Sequence, residues 1–68
     1  MMYQRVKDLR EDNDLTQREI AQRLGLHLTT YQRWESGTTE IPAHIVVSLC
    51  NIYNVTADYI LGIKKGLD

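Results

Sequence analysis

Only one of the 68 residues is cysteine, Cys50, so no disulfide can close within the chain. A lone thiol suits a reducing compartment. Long hydrophobic runs are missing as well. No stretch approaches the roughly 20 apolar residues of a membrane-spanning helix, and no signal-peptide pattern opens the chain. Together these features predict a cytoplasmic protein. The apolar/polar alternation of a half-buried strand is absent, as are internal repeats, linkers and low-complexity segments. A strong positive charge is lacking too: the formal net charge is −1 and the pI is near 6.0. That argues against a uniformly basic nucleic-acid binder. Met1–Trp34 carries six Lys/Arg against five Asp/Glu, whereas Glu35–Asp68 carries two against four. Any DNA binding must rest on local placement of arginine, on backbone N–H groups or on dimerisation.

Chemical machinery is equally sparse. His44 and Cys50 are six apart and fall on different helix faces, and no further Cys or His completes a zinc site. No Gly-rich loop follows a strand, and no nucleophile has an evident His base. Asp8, Glu11, Asp12 and Asp14 read as solvated helix-end charges. Catalysis is the poorest hypothesis, and no cofactor, metal or small-molecule ligand is expected.

What is there is helical. A composition of 43% hydrophobic and 25% charged residues is that of an ordinary globular domain. Residues 1–68 make one domain, near the lower limit for a core without staples. Tyr3, Val6 and Leu9 at spacings of three predict an amphipathic first helix that ends before Asp12–Asp14. Thr16 and Glu19 form a capping box at the start of helix two, which buries Ile20, Ala21 and Leu24. Gly25 suits a left-handed C-cap. Helix three runs from about Leu28 to Ser36, with Gly37 as its stop and Tyr31 and Trp34 facing inward. Stacking platforms for unpaired bases are the alternative for those two rings.

Pro42 fits the first position of helix four, where Ala43, Val46, Val47, Cys50 and Tyr53 follow at helical spacing. Asn54 ends that helix. Thr56 caps a short fifth one with Ala57, Ile60 and Leu61, and Gly62 stops it, leaving a short tail over 63–68. Helix two, a Gly turn and helix three follow in the order of a helix-turn-helix over about 16–36.

Helix four has an apolar excess. Ile45, Leu49 and Ile52 make a second stripe, beyond what one buried face requires. Two readings stand. One is a homodimer seam, extended by Tyr59, Ile63 and Leu67. The other places Leu49 in the core and leaves the two Ile as scattered exposures.

The stretch "RVKDLREDNDLTQREIAQRLGLHLTTYQRWESG" resembles the Cro/repressor-type (Xre-like) helix-turn-helix domain of bacterial and phage regulators, and "IPAHIVVSLCNIYNVTADYILG" resembles its last two helices. The segments "LTQREIAQRLG", "RWESG" and "VTADYILG", in that order, carry the likeness. It implies an all-α, five-helix orthogonal bundle of the lambda-repressor-like type. It also implies a sequence-specific regulator, a repressor binding a palindromic operator on double-stranded DNA as a homodimer, with helix three in the major groove.

Carried over by position, the resemblance assigns His27, Leu28, Thr29 and Arg33 to base edges. Thr16, Gln17, Thr30, Gln32 and Thr38 go to phosphates, and Arg10 and Glu35 to a structural ion pair. His27 replaces a commoner Ser/Thr cap, and Leu28 a commonly polar reader, which points to partly apolar readout against a thymine methyl. A protein-interaction module of the same fold is the rival reading. A bare solvated face is the plain alternative for Thr29 and Arg33.

Overall fold

The computed structural model describes residues 3–62. Helix α1 (Gln4–Asp12) turns Val6 and Leu9 inward, 1% and 8% exposed. It runs one residue past the expected end, through Asp12. The reason is local: Asn13 donates to the Leu9 carbonyl from both its backbone N–H (3.1 Å) and its Nδ2 (2.7 Å), which closes the last turn. Asp14 then takes a φ of 56° to leave the helix.

Helix α2 (Gln17–Leu24) opens on the capping box. The Glu19 N–H donates to Thr16 Oγ1 at 3.0 Å, and the Thr16 N–H donates to Glu19 Oε1 at 2.8 Å. At its other end Gly25 has φ 71°, a conformation costly for any residue with a Cβ. The bonds Leu26 N–H to Ala21 O and Gly25 N–H to Gln22 O complete a Schellman cap. Helix α3 (Leu28–Glu35) ends in the same way, with Thr38 bonding back to Arg33 and Gly37 to Trp34. Tyr31 and Trp34 are buried and meet edge to face, their ring centroids 6.3 Å apart. They are core residues, not platforms.

Helix α4 (Ala43–Tyr53) departs from the sequence expectation twice. Pro42, with ψ 148°, is the cap and not the first helical residue. Its carbonyl accepts from Ile45 and Val46, so the helix winds onto it without needing the missing N–H. The inward face is also rotated. Ile41, Ile45, Val46 and Leu49 are buried, while Val47 is 58% exposed and Ala43 is exposed. The stripe of Ile45 and Leu49 that offered a dimer seam is therefore the core face. On a helix apolar nearly all round, the larger branched side chains take the buried positions because they remove more apolar area from water.

Helix α5 (Ala57–Leu61) starts at Thr56, whose Oγ1 accepts from the Tyr59 N–H at 3.1 Å, and it buries Ile60. Helix α2 packs on α3, α4 on α5, and α1 bridges α3 and α5. Arg5 ties α1 to α5 by a 2.7 Å bond to the Tyr59 carbonyl and by lying 4.6 Å over the Tyr59 ring. The described residues form five helices and no strand. None of these helices is long and apolar enough to cross a membrane.

Candidate nucleic-acid interface

Burial of Tyr31, Trp34 and Glu35 fixes which way α3 faces. With those three turned inward, Thr29, Thr30, Gln32 and Arg33 lie exposed on the other side, and Leu28 is half-buried at the leading end. His27 is exposed in the N-cap position and makes no side-chain cap bond. The leading N–H groups of α3 therefore have no side-chain acceptor from the cap residue, unlike those of α2.

Behind this surface lies a polar knot. Arg10 Nε and Nη2 grip Glu35 Oε2 and Oε1 at 2.7 and 3.1 Å, and Arg10 Nη1 donates to the Leu15 carbonyl at 2.9 Å. The Tyr31 hydroxyl also donates to Glu35 Oε2. Gln17 Nε2 donates to Glu35 Oε1 at 3.1 Å, and Gln32 Nε2 donates to Gln17 Oε1 at 3.1 Å. Burial by itself would raise the Glu35 pKa, but hydrogen bonds from Arg10, Tyr31 and Gln17 hold it below the usual carboxylate value. The bond to Glu35 raises the Arg10 pKa, and burial raises that of Tyr31. Glu35 is 5% exposed, so it is a charge kept ionised by its partners.

The knot forms the floor of an open cleft of about 540 Å³, lined by Lys7, Arg10, Gln17, Gln32, Glu35 and Ser36. Of the residues assigned to phosphates, Gln17 and Gln32 line this cleft. Thr16 Oγ1 accepts the Glu19 N–H of the capping box, which leaves its O–H as a donor, and the hydroxyl of Thr38 pairs with that of Ser36 at 2.9 Å. Thr30 is exposed on α3. Lys7 at the cleft was not singled out from the sequence. Its only signal was a cation on the polar face of the first helix.

Two of the proposed dimer residues are core residues. Ile45 and Leu49 are 5% and 0% exposed in the protein's own core, and Ile52 is half-buried. Tyr59 is exposed beneath Arg5, and Ile63 and Leu67 lie outside the described residues. Among the described residues an apolar hollow of about 330 Å³ is lined by Tyr3, Ile41, Ala43, Val46, Val47, Ala57 and Leu61. Among the described residues, no group of His, Cys, Asp or Glu could hold a metal ion.

Two helices joined by a Gly turn, with the second presenting a polar face, define a helix-turn-helix protein. The family model of that description matches residues 6–60, and the chain belongs to this helix-turn-helix family, of the Cro/C1 type. It is 33% identical over its whole length to the uncharacterized HTH-type transcriptional regulator YobD of Bacillus subtilis (strain 168), covering 61% of that protein. It is 32% identical over its whole length to the antitoxin PezA of Streptococcus pneumoniae serotype 4, covering 43% of it. It is also 34% identical over 81% of its length to the cryptic phage CTXphi transcriptional repressor RstR of Vibrio cholerae, covering 50% of it. The chain thus spans about half the length of these relatives. The family is one of transcriptional regulators and not of enzymes, and two of these three relatives are named as a transcriptional regulator and a transcriptional repressor.

Proposed function

We propose that this chain is a sequence-specific DNA-binding transcriptional regulator. On this reading it is a repressor that binds a two-fold operator as a homodimer, with α3 in the major groove. The observation that carries the proposal is the two-sidedness of α3. Its aromatic pair is sunk in the core, while Thr29 and Arg33, four apart, share the exposed face. Arg can pair bidentately with guanine, and Thr and Leu28 can meet a base edge or a thymine methyl. His27 stands at the leading end of the same helix. Donors around the cleft, Lys7 and Gln17 among them, set position on the phosphates, and the helix-three side chains choose bases. The relatives named as a regulator and a phage repressor support the same reading. Dimerisation then uses exposed surface near Val47 and Leu61, since Ile45 and Leu49 are spent on the core.

Selection of duplexes from a random pool by the purified chain tests the proposal. It predicts enrichment of one motif with two-fold symmetry. A pool that stays random after repeated rounds would refute it. The rival, a protein-interaction module of this fold, draws on the apolar hollow and the net charge of −1. A salt titration separates the two, because DNA binding weakens steeply with salt as counterions are released.

A further inference from the structure

An ionised carboxylate can only accept hydrogen bonds, and Glu35 is buried and ionised. Any amide that meets it must present its NH2 group. Gln17 does so at Oε1, which turns the Gln17 carbonyl oxygen the opposite way. That oxygen in turn admits only a donor, and the donor is Gln32 Nε2 at 3.1 Å. One buried charge thus sets the polarity of two amides in series, the second on the exposed side of α3. A primary amide has two N–H groups, so Gln17 keeps one uncommitted, at the first residue of α2 and on the lining of the cleft.

We propose that Gln32 is a positioning residue for a backbone phosphate of bound DNA, acting through Gln17. It locks the Gln17 amide in the orientation that Glu35 dictates, so that the second Gln17 N–H faces the phosphate. The inference rests on the DNA-binding reading above. Without the lock, Gln17 is held by its single bond to Glu35 alone, so its side chain samples more rotamers, and some of these turn the second N–H away from the anion. Holding the side chain in advance removes an ordering cost that is otherwise met on binding, equivalent to about three- to tenfold in affinity. The polarity argument also explains why position 32 takes a donor, although its neighbour Arg33 already supplies charge.

The test uses Gln17→Met, Gln32→Met and the double variant, each melted first and then titrated with a selected operator duplex. The Gln17 side-chain NH2 signals are followed by 15N NMR without DNA. Gln32→Met should leave folding intact and weaken binding about three- to tenfold on matched and scrambled DNA alike. It should also turn the ordered Gln17 amide into an averaged one. In the Gln17→Met background the same change should have almost no effect. Losses that multiply would mean that Gln32 touches DNA by itself, and unchanged Gln17 amide signals would mean that it is not held. Either result overturns this inference while leaving DNA binding in place. If Gln17→Met proves unstable, the amide spectrum of Gln32→Met alone still decides. Failure of the unaltered protein to bind any duplex overturns the DNA-binding reading, and this inference falls with it.

Discussion

Glu35 and Arg10 show what a single pair of residues does in so small a domain. The pair sits at the junction of α1, α2 and α3, and both carboxylate oxygens are fully engaged. Removing one partner of a buried pair strands the other charge, at a cost of about 3–5 kcal/mol. Arg10→Met and Glu35→Gln should each lower Tm sharply. The double variant should cost clearly less than the sum, and strict additivity in that cycle would deny the coupling. Acidity gives an independent check. The folded-state pKa of Glu35 lies below its ordinary 4.5, so its contribution is complete above about 4.5. It is lost as pH falls below that value and through the folded pKa. The Tm of the unaltered protein should therefore drop in that acid range, and Glu35→Gln should flatten the drop. Equal acid slopes for the two proteins would contradict it.

Among the elements, α3 is built to fail in two different ways. Trp34→Ala removes a buried ring and should cost about 3–5 kcal/mol, a large share of the stability of any domain this size. Melting should show it much less stable or unfolded. A Tm within a few degrees of the unaltered protein would mean that the ring is not part of the core. The start of α2 and the ends of α2 and α3 were legible in sequence because their causes are local. Thr16 with Glu19, Gly25 and Gly37 act within one turn of the chain. Tyr31 and Trp34 were legible because α3 has no other apolar face. The inward face of α4 was not, since Ala43, Val47, Ile45 and Leu49 fit two stripes equally well and only the packing partners choose between them. Pairing of Gln17 with Gln32 and Glu35 spans 15 and 18 residues, and no spacing rule announces it. Lys7 was passed over for the same reason, because only the fold brings it to the cleft.

For the whole molecule, a net charge of −1 means that attraction to DNA must come from local placement of arginine, from backbone N–H groups or from dimerisation, not from bulk charge. The exposed apolar residues Val47 and Leu61 flank the hollow beside α4 and α5. Val47→Glu with Leu61→Glu should preserve helical content and shift any dimer to monomer in sedimentation. An unaltered protein that stays monomeric at high micromolar concentration, with and without operator, would remove the dimer from the account. The most direct test compares the unaltered protein, Thr29→Ala and Arg33→Ala for melting and for binding to a selected operator and to scrambled DNA. Exposed substitutions change stability by about 0.5 kcal/mol or less, so all three should melt together. Each variant should nevertheless lose about 1–3 kcal/mol of operator affinity and relax its preference at particular base pairs. Variants that fold normally and keep full preference for the operator would show that α3 is not the reader.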